Sequence, residues 1–499
     1  MKAVCRNCLF GFLWTLVLWL GTALAAQEFA PSQAPSMSSR PAVHSHRPAV
    51  RDGGAASPTL CASCVKRNLE YLAGRALNGR GSGTEDEHKA ANYIAEELRA
   101  YGLAPAAGSS DYIQVGTLRS REAVGNPTLT IASAGNQKSL VLMHGQQIVM
   151  SELSQAPITA ALQKIDLSDE GNSASTVAAS SALLIKLKDG LSADEARQTL
   201  ELYRNSKAAI VIVASSTYLQ HMFDKLAQEP PHIPQLVGNE EPKAQSAIVL
   251  TRQETFDQLW AEPDGATVTL HAELTPWKTT HTWNVLAKIE GTTARDQIVL
   301  LSAHLDHLGR ENGQTYYGAD DDASGTVAVM ELARALAKAP KPKRTLVVAL
   351  WGSEEQGLIG ARYFLQNPTF PLDDIVANLE FEMIGRPDPK IKPDELWLTG
   401  WDRTDLGPEL VQHGAKLVAD PRIGEQFFTR SDNYALAEKG IIAQTVSSFG
   451  LHADYHEPTD TVDKIDFTHL DRAIASMIAP VTWLANTEFK PEWVKGKKP

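Results

Sequence analysis

The sequence predicts an α/β protein built on a doubly wound, mostly parallel sheet, with a separate β-rich domain inserted into it. Three observations carry this. First, apolar and β-branched runs of strand length (298–301, 346–350, 375–381 and 441–446) alternate with helical periodicity through the second half of the chain. That is the pattern of strands joined by crossover helices. Second, residue types that bind metals or move protons stand directly after those runs: His304, Asp321, Glu354 and Glu355, Glu382, and His456. In doubly wound sheets, sites form at the carboxyl ends of strands. Third, residues 120–272 change character. Short apolar runs at 129–132, 139–142, 182–185 and 208–213 alternate with polar stretches, and no cluster of catalytic residue types stands among them.

Taken in order, the chain opens with Lys2 and Arg6, an apolar stretch from Leu9 to Leu20, and Ala23-Leu24-Ala25. This is the pattern of a secretory signal peptide cleaved near Ala25 or Ala26, so the product is expected in a periplasm or outside the cell. The apolar core is short for a membrane span, and no stable membrane association is expected after cleavage. Residues 27–59, rich in Pro, Ser, Ala and His, read as a disordered linker. Cys61 and Cys64 are the two cysteines left after cleavage; in an oxidising compartment they pair as a small disulfide. They are too few to complete a structural zinc site. Thr84 with Glu87 fits a capping box, opening a helix with Ala91, Ile94 and Leu98 on its apolar side and Gly102 at its end.

The main domain is expected over 60–119 and 273–490. Residues 283–290 form a strand and Gly291 a turn. After the strand ending at His304, Ser324 caps a helix over 325–338, with Val329, Leu332, Ala333 and Leu336 on its inner face. Further helices are expected from Leu358, over 406–417 and over 467–485, with a short strand at 395–398. Residues 491–499 form a basic, mobile tail. The chain of 499 residues carries 47 Lys and Arg against 59 Asp and Glu, a net charge of −12. That balance disfavours nucleic acid and anionic membrane surfaces as partners. Nothing in the sequence sets an oligomeric state.

The chemistry centres on residues 296–325. His304 and Asp306 are two apart, hence on one side of an extended chain, which suits a ligating imidazole oriented by a carboxylate. Asp320, Asp321 and Asp322 are three consecutive carboxylates, tolerated in open solvent or beside a cation. Two histidines and several carboxylates without a thiolate suit zinc or a similar divalent ion. A natural arrangement puts His304 and one acid on a first ion and His456 and another acid on a second, with Asp321 bridging. Glu354 and Glu355 are adjacent, so if one ligates, the other is free to take a proton from water.

These residues resemble peptidase family M28, the zinc aminopeptidases, with a protease-associated domain inserted before the metal motifs. The resemblance rests on Leu72-Ala73-Gly74-Arg75, Trp283-Asn284-Val285, His304-Leu305-Asp306-His307, Gly318 to Gly325, Gly352 to Gly357, Glu382-Met383-Ile384-Gly385, Ser431-Asp432 and Asp454-Tyr455-His456. It covers about 70–118 and 278–490, and gives the sheet its zinc-exopeptidase-like character and residues 120–272 their PA-like one. It implies two zinc ions per chain. His304 and Glu382 would hold one, Glu355 and His456 the other, and Asp321 would bridge. Glu354 would be the general base, Asp306 would orient His304, and Tyr455 would stabilise the oxyanion. His307, His452, Arg430, Ser431 and Asp432 would surround them. The implied activity is removal of amino-terminal residues from peptides with a free N-terminus. Two departures stand out: Glu382 occupies a position where the family usually has Asp, leaving Glu380 as a fallback ligand, and Asn433 stands where His is common. The rival readings are an M28-like carboxypeptidase or dipeptidase, a glutaminyl-cyclase-like enzyme, and a binding protein with a degenerate site.

Overall fold

The structure is a computed structural model that describes residues 58–499 apart from 109, 134–138, 154, 169–175, 189, 192, 215–222, 225, 229, 234, 242–245 and 312. The expected signal peptide and residues 27–57 of the linker lie outside the described residues. Two compact units are present. One comprises the described residues up to Gln114 with Trp283–Ala361 and Pro368–Pro499; the other comprises the described residues of Val115–Thr282 and Arg362–Asn367.

The first unit is built on a sheet of strands β1 (Lys278–Ile289), β2 (Ala294–His304), β3 (Arg344–Trp351), β4 (Ile375–Phe381), β5 (Leu396–Leu398), β6 (Leu417–Ala419) and β7 (Ala443–Ser447). Their order across the sheet is β6-β5-β7-β4-β2-β3-β1. The four central strands are parallel, as the apolar runs predict. β1 against β3 and β5 against β7 are antiparallel, so the sheet is mixed at its flanks. β3 is buried at every position, as a strand covered on both faces must be.

Helices α1 (Ala62–Leu72), α2 (Glu85–Ala100), α3 (Gly325–Ala337), α4 (Leu406–Gln412), α5 (Asp432–Glu438) and α6 (Phe467–Leu484) cover this sheet. α3 is the central one. It packs against β2, α1, α2 and α6, and is buried continuously from Gly325 to Leu336, not on one stripe only. Its cap also departs from expectation. Ser324 makes no capping bond; its Oγ donates to Asp320 O (2.8 Å), while Asp322 Oδ1 accepts from Gly325 N (3.0 Å). Thr84 does cap α2, accepting from Asp86 N and Glu87 N. Glu87, however, reaches Gly83 N and also takes Trp283 N (3.2 Å) and Ser353 Oγ (3.1 Å), so it joins three chain segments. The helix expected over 406–417 stops at Gln412, because Gly414 turns the chain at φ +98 into β6. Cys61 and Cys64 form a disulfide of 2.11 Å at the start of α1.

The C-terminal residues are tied down instead of forming a mobile tail. Trp493 Nε1 donates to Gly440 O (3.0 Å), Arg403 Nη1 donates to Lys497 O (2.8 Å), and Lys497 Nζ pairs with Asp402 (2.8 Å).

The second unit has its own eight-stranded sheet, in the order Leu140–Met143, Ala123–Ala132, Thr267–Leu274, Ile158–Asp166, Ala182–Lys186, Ile210–Ala214, Ala247–Thr251, Ile148–Glu152. Pairing is antiparallel at both ends and parallel in the middle. It has a core of its own, centred on residues such as Leu129, Leu162, Leu184, Ile212, Val249 and Val268. Among the described residues no helix is long and apolar enough to cross a membrane.

Candidate metal centre

The strand ends of the first unit deliver the candidate side chains to one place. β2 ends at His304, and Glu354 and Glu355 sit in a short turn directly after β3. Glu382 follows β4 by one residue, and Asp321 lies in the segment leading into α3. His456 comes from the loop after β7.

The geometry brings these groups together. His304 Nε2 lies 3.2 Å from Asp321 Oδ1, and His456 Nε2 lies 3.1 Å from Asp321 Oδ2 and 3.2 Å from Glu355 Oε2. Two trios have donor atoms close enough to share an ion: His304, Asp321 and Glu382, and His307, Asp321 and Glu355. Asp321 belongs to both. His307 enters where the sequence reading had placed it only in the surroundings; its Nδ1 is 2.7 Å from Glu355 Oε1.

The residues fit a divalent cation on a test independent of any family pattern. Buried polar atoms are almost always hydrogen-bonded. Here both ring nitrogens of His304, Nε2 of His307, Oε1 of Glu354 and Oε2 of Glu355 are buried without a hydrogen-bond partner among the described residues. They crowd one cleft, and their imidazole and carboxylate character suits zinc, with no thiolate present.

The three consecutive acids divide their work. Asp320 Oδ1 accepts from Gly385 N (2.7 Å), and its Oδ2 is 2.9 Å from His452 Nε2. Asp322 Oδ1 accepts from Gly325 N and Met383 N (both 3.0 Å). These two lace the loop to the end of β4 and leave Asp321 to face the histidines. Backbone donors and His452 thus hold Asp320 and Asp322, and burial favours the protonated form of Asp322. Gly325 allows this lacing, since a Cβ there would stand 2.0 Å from Phe381 O and 2.5 Å from Asp322 Oδ1. Asp460 accepts from the backbone N–H of Asp320 and Asp321 and from Arg386. Arg80, fully buried, donates to the carbonyls of Leu72, Leu305, Tyr317 and Gly318 and so holds both sides of the loop.

Asp306 accepts from Ser82 Oγ at Oδ2 and from Glu354 N (3.0 Å) at Oδ1. Its Oδ1 is 3.7 Å from His304 Nδ1, an ionic approach and not the hydrogen bond that orientation of the ring calls for. Glu380 does not join either trio; its Oε1 accepts from Ser431 Oγ (3.2 Å). Asn433, in place of a histidine, donates to Phe428 O and accepts from Thr445 Oγ1, a purely internal role.

Three site residues carry left-handed backbone: Ser353 before the glutamate pair (φ +50), Met383 after Glu382 (φ +52) and His456 itself (φ +55). Such conformations cost about 1–3 kcal/mol each and persist where the surroundings over-determine them, commonly at functional sites.

Proton affinities separate the two adjacent glutamates. Burial pushes Glu354 well above the usual carboxylate range, and Asp432, Glu355 and Glu382 push the same way. Burial also opposes ionisation of Glu355, but His456 and His307 overcome it and hold its carboxyl down to about 2. Asp321 is likewise held well below its ordinary value against burial, by His304 and His456. Burial raises Glu382 to about 7 and Glu380 to about 8. Burial, with the charge of Asp321, keeps the Tyr455 phenol protonated far above its usual range. Tyr455 stacks on the His456 ring at 4.0 Å and lines a cleft with Glu382 and Met383.

A mixed α/β domain whose strand ends converge on a buried histidine–carboxylate cluster is the class that fold and site define. Residues 284–481 match the model of peptidase family M28. Among curated relatives, leupeptin-inactivating enzyme 1 of Streptomyces exfoliatus is 33% identical over 200 residues, covering 36% of this chain and 43% of its own. A probable lipoprotein aminopeptidase of Mycobacterium tuberculosis is 32% identical over 247 residues, 43% of this chain and 47% of its own. The chain spans less than half the length of the curated relatives it matches. An aminopeptidase from Aneurinibacillus sp. strain AM-1 shares the fold, with a TM-score of 0.50 and 19% identity over 86% of this chain and 94% of that one.

Proposed function

We propose that the protein is an exported two-zinc aminopeptidase that removes amino-terminal residues from peptides. The observation that supports it most is the cluster itself: imidazoles and carboxylates from five separate segments meet in one cleft, with buried nitrogen and oxygen atoms left for a cation. The names of the relatives, aminopeptidases and metalloproteases, agree with it. His304 and Glu382 would hold one zinc, Glu355 and His456 the other, and Asp321 both; His307, on Glu355, competes with His456 for the second position. Bound zinc lowers the pKa of water toward neutrality and polarises a carbonyl.

The protein's own groups then do the following. Glu354, placed by Asp306 through its backbone N–H, takes a proton from the attacking water at Oε1 and returns it to the departing amine. Its raised proton affinity suits that role. The Tyr455 hydroxyl, kept protonated, donates to the oxyanion of the tetrahedral intermediate. Carboxylates of the cleft accept the free amino group of the substrate. The unit over Val115–Thr282 is a protease-associated type of insertion in this reading, and residues 1–26 direct export.

Elemental analysis of purified protein should give two zinc ions per chain, and aminoacyl-p-nitroanilides should be hydrolysed. One ion or none, or no hydrolysis of any such substrate, would sink the reading. His456→Ala and His307→Ala decide the second position: the true ligand is the one whose loss halves the zinc content.

A further inference from the structure

The cleft beside Glu382 contains an arginine, Arg430, that forms no ion pair among the described residues. Its walls include Met383, Trp397, Phe427, Phe449 and Tyr455, with Arg430 among them. The Arg430 guanidinium lies over the Phe427 ring at 4.8 Å, which fixes its plane. Its Nε is buried without a hydrogen-bond partner, and among the described residues its guanidinium makes no hydrogen bond and no ion pair.

The neighbouring arginines are different. Arg422 pairs with buried Asp388 and also donates to Gly450 O (3.3 Å). Arg386 pairs with Asp454 (2.8 Å) and Asp460 (3.3 Å), and Arg80 has four carbonyl acceptors. The hydroxyls of the cleft are also committed: Thr399 Oγ1 accepts from Thr445 N, Thr445 Oγ1 donates to Asn433, and Ser447 Oγ donates to Met383 O. The Trp397 wall is pinned by its indole N–H on Asp388 (3.1 Å). What remains is an aromatic cleft with one fork of donors that makes no hydrogen bond among the described residues, beside Glu382.

We propose that Arg430 receives a carboxylate of the substrate. This rests on the cleft being the peptidase site. A planar guanidinium offers paired N–H donors that match a carboxylate and no neutral side chain equally well. The aromatic walls take the apolar stem. The carboxylate has two sources: the side chain of an acidic amino-terminal residue, or the free α-carboxylate of a very short peptide or product.

Equilibrium binding to the zinc-loaded full-length protein separates them without relying on turnover. Four probes are titrated calorimetrically: glutamate, glutamine, leucine and leucinamide. Glutamate over glutamine reads the side-chain source; leucine over leucinamide reads the α-carboxylate source. One of these ratios should exceed about tenfold, as a charge-assisted pair warrants. It should fall to near one in Arg430→Met, with Arg430→Lys between. Melting curves verify folding, and Arg430→Lys stands in if Arg430→Met does not fold. Both ratios near one in the wild type, or a ratio that survives loss of the guanidinium, would overturn the proposal. Hydrolysis of aminoacyl-p-nitroanilides is followed in parallel. Turnover with no Arg430-dependent ratio leaves the aminopeptidase and removes this inference; an Arg430-dependent ratio without turnover does the reverse.

Discussion

Glu354 and Glu355 are covalent neighbours whose environments push them in opposite directions, one toward holding a proton and one toward permanent charge. Pairs driven apart in this way mark acid–base roles. Glu354→Gln keeps the shape and the Asp306 contact through the backbone but removes the proton acceptor. It should lower kcat by about 10²–10⁴-fold while zinc content and substrate affinity hold. Unchanged turnover would remove Glu354 from the mechanism. The crowding of His304, Asp321, Glu355, Glu382 and His456 was legible because each follows a strand, and strand ends of such sheets meet. Arg80 and Asp460 were not. Arg80 acts on carbonyls of residues 305 and 318, and Asp460 on amides of residues 320 and 321, so neither leaves a local pattern. Nor does the sequence show that Asp320 and Asp322 are spent on backbone amides. Three acids in a row look alike until their partners are known.

At the scale of elements, the central strands were readable because burial on both faces forces uninterrupted apolar runs. Boundaries were less so. The helix over 406–417 was read too long because Leu417 continues its apolar period across Gly414, although Leu417 faces the core from a strand. Ser324 looked like a cap by type, yet Asp322 does the capping. The loop from Gly318 to Gly325 depends on Arg80 for its fixed position. Arg80→Met would take a donor from each of four carbonyls and leave the local carboxylates without their buried cation. A loss of about 3–5 kcal/mol is expected by urea denaturation. Arg80→Lys should recover little, since an ammonium cannot spread donors over that span. Full recovery by lysine would show that charge alone, not the fan of donors, holds the loop. The disulfide at the start of α1 should contribute less. It closes only the short loop from Cys61 to Cys64, worth about 2 kcal/mol by chain entropy. Cys61→Ser with Cys64→Ser should stay folded, with a shift of that size in the same experiment.

At the scale of the whole molecule, the two units have separate cores, and the candidate ligands belong to the first alone. Two cores need not melt together, so a single unfolding free energy does not describe the chain. Metal binding should therefore act on one transition. A ligand held by the folded form alone stabilises it by RT ln(1 + [L]/Kd), about 4 kcal/mol when free zinc is a thousandfold above Kd. Calorimetry of the zinc-loaded protein should show two transitions. A strong chelator should lower the one belonging to the first unit by several degrees and leave the other in place. Chelation should abolish peptide hydrolysis at the same time, and added zinc should restore both signals together. The cluster gives the reason for the asymmetry: among the described residues both ring nitrogens of His304, Nε2 of His307, Oε1 of Glu354 and Oε2 of Glu355 are buried without a hydrogen bond, and without a cation that cost falls on the sheet that positions them. Equal movement of both transitions would mean that the metal holds the units as one cooperative body. No movement of either would mean that these residues bind no metal tightly, and the two-zinc reading would fail on stability grounds alone.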